Sequence, residues 1–467
     1  MIKIFNRYYS IYDLLLVLGD ITLAFLATGA ARLVMVLAGF SAGPNWTQWM
    51  IQGGAIAVFV VGSFYYSDLY AIDQTLPGRE LVLRLVNGFG ITCLIGGAVS
   101  YFIPEPVLRN IYLTEMFLIG LGLFAWRLGF MRVLSKARIR TKVLILGTQA
   151  IGKLVAEELC RHKQFGMEVV GFIGSRVGQI TLSHGNPTHV SLPVFPKQAI
   201  LGLVKEKGVN RILVAGAESC ADFPAQEPVL LRLRGIQMED CHTFYERLMS
   251  KIPIVDLQPG WIALSEGFRR TRWILFAKRA IDMLVSGVGL LLSSPIALLT
   301  AIAIKLDSPG PILYRQERVG QNERPFTLYK FRSMSQDAET ETGPVWAAKD
   351  DPRVTRVGRI IRKLRIDEIP QMVNVLKGEM SFVGPRPERS FFVSKLKEKI
   401  PYYHLRFSVK PGITGWAQIS YRYGDSEEGA IEKLQYDLYY IKNVSLIFDL
   451  QIIFETLKVI MFGKGAQ

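Results

Sequence analysis

The sequence predicts a membrane protein in three parts: a transmembrane bundle of four helices, a doubly wound α/β domain, and a mixed α/β C-terminal domain opening with a re-entrant membrane helix. Three observations predict it. Four apolar runs, each near the roughly 20 residues that a spanning helix needs, crowd the first 135 positions. A buried-strand pattern, a glycine turn and a helix pattern follow from 142. A fifth apolar stretch, Met283–Ile304, is interrupted by Ser293-Ser294-Pro295 and flanked by Lys278, Arg279 and Lys305.

Composition supports the membrane class. Half of the 467 residues are apolar, and 55 Lys+Arg outnumber 40 Asp+Glu, as in a membrane protein with a basic cytoplasmic face. A soluble nucleic-acid binder has no use for such apolar blocks, so no nucleic-acid partner is expected. Cys93, Cys160, Cys220 and Cys241 form no C-x-x-C, and the five histidines do not join them at zinc spacing. They are expected to be free thiols in a reducing compartment.

The first part, 1–140, holds apolar runs at about 11–39, 51–70, 85–103 and 112–131. Lys3 and Arg7 precede the first run, and Arg132, Lys136, Arg138, Arg140 and Lys142 follow the last, so both ends face the cytoplasm. Ala27-Thr28-Gly29-Ala30 could mimic a signal-peptide cleavage site, but the run is long and three more follow, which predicts a retained anchor. Asp13 and Asp20 share a helix face, either for function or against a polar bundle interior.

The second part, 141–255, reads as strands at 142–146, 169–173 and 211–214 with helix-length spacers, a parallel Rossmann-like order. Its turn, Gly147-Thr148-Gln149-Ala150-Ile151-Gly152, replaces the middle glycine of G-x-G-x-x-G by Gln149, which obstructs a pyrophosphate. The second strand ends Gly174-Ser175-Arg176 with no acid to hold a ribose, and Tyr245 has Met249 rather than lysine four residues on. A scaffold or regulatory domain without bound dinucleotide is expected.

Residues 256–276 read as a linker and interfacial helix, with bases and aromatics interleaved over Phe268–Arg279. In 277–305, Ser294 and Pro295 break a stretch long enough to span, and bases at both ends favour entry and exit on one side; an ordinary fifth span with a bend is the alternative. In the remainder of 277–467, Arg353, Arg356, Arg359, Arg362 and Arg365 recur every third position, a helical basic stripe that leads into Ile366-Asp367-Glu368-Ile369-Pro370. Ile369, Met372, Val373 and Leu376 have helical spacing and Gly378 ends the pattern, which predicts Asp367 at the N-cap and Glu368 in the first turn. There both carboxylates should stay ionised beside arginines able to hold phosphate.

Leu328-Tyr329-Lys330-Phe331-Arg332-Ser333-Met334, Gly384-Pro385-Arg386-Pro387-Glu388 and Lys410-Pro411-Gly412-Ile413-Thr414-Gly415-Trp416 add cations and backbone donors suited to a polyanion. With the acid pair, these motifs resemble, in order and over some 190 residues from about 268, the bacterial sugar transferases, which place hexose-1-phosphate on a polyprenyl phosphate and start exopolysaccharide and O-antigen synthesis. Four spans and a Rossmann-like domain also resemble that family's long form.

The resemblance implies that Asp367 is the nucleophile and that Glu368 helps hold Mg2+. It implies substrate contacts from Lys330, Arg332, Arg362 and Arg386, and a membrane-helix break at Ser294-Pro295. The partners implied are a UDP-sugar, polyprenyl (undecaprenyl) phosphate and the lipid bilayer of a bacterial inner membrane, with the catalytic domain cytoplasmic; oligomeric state stays open, a homodimer being one option. Tyr436-Asp437-Leu438-Tyr439-Tyr440 also resembles a family segment, near the site. Asn322-Glu323-Arg324 departs from the glycine-rich loop often found there. Two rival functions are a glycosyltransferase releasing UDP, against which no Asp-x-Asp occurs, and a non-enzymatic nucleotide-sensing scaffold.

Overall fold

A computed structural model describes residues 2–4, 7–9, 11–39, 46–70, 78–101, 106–136, 141–162, 166–182, 190–216, 226–335, 351–421 and 426–462. Arg138, Arg140 and Cys220 lie outside them. The chain divides into two compact units, Met1–Cys241 and His242–Gln467.

The first unit opens with a short antiparallel hairpin, β1 (Ile2–Ile4) and β2 (Arg7–Tyr9), followed by four helices: α1 (Ile11–Leu37), α2 (Trp46–Tyr66), α3 (Gly78–Tyr101) and α4 (Pro106–Lys136). Each contains a stretch long and apolar enough to cross a membrane. Many large apolar side chains point outward (Leu18, Leu26, Val58, Leu94, Phe117) while acids turn inward, the reverse of a water-soluble bundle. Asp20 is fully buried, ion-paired with Arg127 at 2.6 Å, and accepts from the Tyr70 hydroxyl at 2.8 Å. Gln52 donates to both Glu115 oxygens at 2.9 Å and accepts from Arg32 at 2.6 Å. Asp20 therefore faces a polar interior, the second of the two options above; Asp13 is half-buried.

The rest of the unit is a six-stranded sheet of β3 (Thr141–Leu146), β4 (Met167–Ile173), β5 (Gly178–Leu182), β6 (Val190–Phe195), β7 (Arg211–Val214) and β8 (Gln237–Asp240), ordered β5-β6-β4-β3-β7-β8. Five strands run parallel and β5 is antiparallel to β6, so the sheet is mixed rather than wholly parallel. The strand at β6 contains Pro193, which hides it from a pattern search; β6 lies between β5 and β4 but meets β4 only at Val194 and Phe195, past the proline. After β3 the chain turns at Gly147 (φ 104), and Gly152 lets the next helix approach β3 and Ala215: a β-carbon there would sit 3.0 Å from Ala215.

The sequence pattern ends this domain near 255, but the segment after 241 packs in the second unit. Ile252 N–H donates to Gln435 O, Trp416 Nε1 to Ser250 O, and Lys251 pairs with Glu432 at 2.6 Å. The second unit's core gathers Val383, Tyr403, Trp416, Leu434, Leu438, Tyr440 and Phe448.

Out of this core comes one long helix, Arg272–Asp307, capped by Thr271 Oγ1, which accepts from Ile274 N–H. Its buried residues are Asp282, Ser286, Thr300 and Ile304, while Leu291 and Leu292, each 73% exposed, stand on the surface with Leu284, Leu298 and Leu299. In water each such leucine forgoes roughly 1.5–3 kcal/mol of burial, so the helix is built for lipid. Pro295 has no N–H for the Leu291 carbonyl, and the Ser294 hydroxyl donates to that same carbonyl at 2.8 Å. The Ser-Pro pair thus removes a helical bond and replaces it.

Candidate active site

A hairpin of Leu313–Val319 with Pro325–Phe331 carries Lys330, and helix Arg356–Lys363 lies against the hairpin's end. That approach requires Gly358, because a β-carbon there would stand 2.0 Å from the Ser333 carbonyl oxygen. Thr355 caps the helix by accepting from Gly358 N–H at 2.9 Å, and Asp307, ending the long helix, accepts from Val357 N–H at 3.0 Å. Only Arg356, Arg359 and Arg362 of the basic run are helical. Arg353 precedes the helix and pairs with Asp351, and Arg365 follows it in the left-handed region (φ 58). This reversal ends the stripe and swings the chain into the acid pair.

Asp367 and Glu368 occupy a separate 3-10 turn, Ile366–Glu368, and helix Gln371–Lys377 starts only after Pro370. The expected N-cap role of Asp367 is therefore corrected: Pro370 takes that place, since it suits a helix start and no carboxylate bond is made there. Gly378 ends the helix in the left-handed region (φ 84), as the glycine stop predicts.

Both acids are buried. Glu368 Oε1 gathers three cations: Arg386 at 2.8 Å, Lys330 at 3.2 Å and Arg365 at 3.6 Å. Among the described residues the one cation paired with Asp367 is Lys330, at 3.8 Å. Burial would raise the Glu368 carboxyl, but Arg386, Lys330 and Arg365 outweigh it and hold the group well below the usual range. Burial raises Asp367 instead, Lys330 offsetting only part of it and the Glu368 charge adding to it. Both acids were expected to stay ionised; the structure favours ionisation of Glu368 and disfavours that of Asp367, an asymmetric pair. Burial likewise lowers Lys330.

Arg386 is presented by a crossing of two loops. Strands Ser381–Val383 and Gly412–Thr414 pair in parallel, and Gly384, Gly412 and Gly415 pack backbone to backbone: a β-carbon at Gly412 would lie 2.1 Å from Gly384 N. The same strand is pinned to the long helix, where Asp282 accepts from Ser381 Oγ at 3.0 Å and Phe382 N–H at 2.9 Å, and Lys278 donates to Val383 O at 3.0 Å while pairing with Asp449 at 2.6 Å.

Two expected substrate contacts are not at the acids. Arg332 lies just past the strand end and donates to Pro309 O, Ser308 O and Ser308 Oγ at 2.5–3.0 Å, fastening the chain after the long helix. Its two terminal nitrogens are used on the chain after the long helix, and its Nε is buried without a partner among the described residues. Arg362 is half-buried on the basic helix, and among the described residues no ion pair joins it to Asp367 or Glu368. Ser294 and Pro295 sit in the long helix as described above. Sequence reasoning missed Asp282 and Arg406; the signal available was a lone charge set among apolar neighbours, as in Leu405-Arg406-Phe407.

The hairpin loop explains a departure in the sequence. Asn322 (φ 54) and Glu323 (φ 60) both adopt the left-handed conformation that glycine would take without strain. Glu323 is held there by Lys397 at 2.8 Å.

Residues 273–463 match the family model of the bacterial sugar transferases. The chain is 43% identical over 402 residues to UDP-glucose:undecaprenyl-phosphate glucose-1-phosphate transferase of Escherichia coli K12, covering 83% of each. It is 37% identical over 502 residues to the protein of that name in Xanthomonas campestris pv. campestris, covering 99% of this chain and 96% of that one. The chain belongs to the bacterial sugar transferase family. An Aeromonas hydrophila relative named as a UDP-N-acetylgalactosamine-undecaprenyl-phosphate N-acetylgalactosaminephosphotransferase is 50% identical, over 41% of this chain and 45% of that protein, less than half its length. Every residue named in the acid-pair site lies within the stretch matched to the sugar transferase family.

For a divalent cation, the donor set is two adjacent hard carboxylates, and among the described residues no third acid, histidine or cysteine joins them. That fits Mg2+, which commonly takes one or two carboxylates and completes its shell with substrate phosphates and water.

Proposed function

We propose that this sugar transferase moves hexose-1-phosphate from a UDP-sugar to polyprenyl phosphate through a covalent intermediate on Asp367. The observation that carries the reading is the asymmetric pair: one acid with three cations on a single oxygen, Oε1, its neighbour buried, raised in pKa and left with an uncommitted oxygen. Asp367 would attack the sugar-bearing phosphorus, forming an acyl phosphate while the bond to the UMP oxygen breaks. An oxygen of polyprenyl phosphate would then attack the same phosphorus and release the carboxylate, giving polyprenyl-diphospho-sugar. Lys330, Arg386 and Arg365 would screen the repulsion between a carboxylate and a diphosphate. Glu368, with Asp367 beside it, would hold Mg2+, which when bound supplies further charge neutralisation on the phosphates.

The long helix is read as re-entrant, with the catalytic unit on the cytoplasmic side of a bacterial inner membrane. Both of its ends are committed to one protein body, Arg279 donating to Val375 O and Leu376 O and Ile304 packing on Phe331 and Ile361, while the leucines between face outward. Labelling cysteines placed at Ser265 and Ser335 in sealed cells should find both protected; label reaching either from outside would overturn this topology.

The test of the chemistry is to incubate protein, Mg2+ and a UDP-sugar without acceptor, then map adducts by mass spectrometry. A sugar-phosphate on Asp367 with matching UMP is expected. Release of UDP would instead favour glycosyl transfer.

A further inference from the structure

We propose that Arg406 is a positioning residue, a buried guanidinium that sets the Pro385-Arg386-Pro387 turn so that Arg386 meets Glu368. It rests on the acid-pair site read above as the centre of phosphosugar transfer.

Arg406 is 5% exposed, and a cation so placed is costly unless its donors are used. It donates to the Tyr403 hydroxyl and, at 3.1 Å, to the backbone carbonyl of Arg386; the buried Asp437 pairs with it at 3.0 Å. The residue whose carbonyl it holds is the residue whose guanidinium donates to Glu368 at 2.8 Å. With proline on either side, Arg386 has little freedom except to rotate its own peptide planes, and such a rotation would carry its side chain off Glu368. The Arg406 bond blocks that rotation. Asp437 supplies the charge balance, which leaves Arg406 no reason to compete for the acids of the site. A relay of side chain, backbone and side chain thus runs from Asp437, on helix Glu427–Lys442, to the acid pair.

In sequence Arg406 is a single charge between Leu405 and Phe407 with no motif around it, whereas Asp437 lies in the Tyr436–Tyr440 segment that the resemblance places near the site.

The test is a double-mutant cycle on the full chain, with kcat and KM from UMP release. Arg406→Lys should lower kcat roughly tenfold or more while KM for polyprenyl phosphate stays within about twofold, and adding it to Arg386→Lys should cost nothing further. Losses that multiply would overturn the proposal. If Arg406→Lys does not fold, Asp437→Asn enters the same cycle, with the same two outcomes. Thermal unfolding supplies an arm that needs no turnover: Arg406→Lys and Glu368→Gln should be non-additive in Tm if Arg386 links them, and strictly additive shifts would count against the relay. A wild-type chain that releases no UMP would sink the functional reading and leave this arm to decide the inference.

Discussion

Two regions of this chain bury an acid against arginine, and they do so differently. In the membrane helices Asp20 meets one guanidinium and one hydroxyl, Arg127 also donates to Leu69 O, and the Phe64 and Tyr70 rings cover the cation. Charge is matched and sealed. In the catalytic unit three cations converge on one oxygen of Glu368, and Asp367 is left under-paired beside it. A surplus of positive charge around an acid that keeps a reactive oxygen suits a polyanionic substrate, whereas a matched pair suits a fold. Net local charge, more than burial, separates the two.

The largest effect expected from breaking this contrast is at Asp367. Asp367→Asn should reduce UMP release by at least about a thousandfold, since an amide is a poor nucleophile toward phosphorus. The fold should not suffer: burial raises the pKa of this carboxyl, so its ionised form is a cost to the native state at neutral pH that asparagine removes. Tm should stay level or rise. For the same reason the Asp367 carboxyl in Mg2+-free protein should titrate above the ordinary carboxylate range, followed by the NMR or infrared difference between wild type and Asp367→Asn. A carboxyl titrating at or below that range would contradict this assignment.

Glu368→Gln should be milder in rate and harsher in stability. Turnover should fall roughly 10- to 100-fold with a raised Mg2+ requirement. Its depressed pKa means that the ionised form stabilises the fold above the unfolded-state value and that this is lost as pH falls through the folded one. Removing the charge takes from Arg386 its partner carboxylate and leaves Lys330 only the longer pair with Asp367, so Tm should drop where Asp367→Asn does not. Equal Tm shifts for the two variants would mean the pair is not asymmetric.

How far the sequence reads through to this site depends on the element. Lys330 and Arg386 were singled out by the resemblance, and the structure brings both to Glu368; Ser294-Pro295 lies inside one continuous helix, Arg272–Asp307, where proline removes one helical bond. Arg332, named as a substrate contact only by the resemblance, lies past the strand that ends at Phe331, and its side chain turns to Ser308 and Pro309. The basic stripe was misread at its end because a positive φ at Arg365 has no signature in a non-glycine residue. In the sheet, the strands Gly178–Leu182, Val190–Phe195 and Gln237–Asp240 were missed, the first short and partly exposed, the second carrying a proline, the third only four residues long and bearing two acids. Period and turn chemistry show in sequence; which cation reaches which oxygen is decided by backbone crossings such as Gly384 on Gly412.

The smallest effect on chemistry should come from Asp20→Asn, and it completes the comparison. The substitution keeps shape and leaves the Tyr70 hydroxyl an acceptor, but Arg127 loses the only carboxylate that pairs with it among the described residues. Breaking a buried pair from one side costs about 3–5 kcal/mol in proteins generally, and amphipathic escape is closed to a guanidinium already 3% exposed between helices. The membrane helices should therefore unfold earlier, seen as faster proteolysis or a lower transition in detergent. UMP release per folded molecule should be unchanged, because the pair is neutral as a whole and holds nothing in surplus for a phosphate. A turnover loss approaching that of Glu368→Gln, in protein that remains folded, would show that the sealed pair also serves the chemistry and would undo the distinction drawn between the two regions.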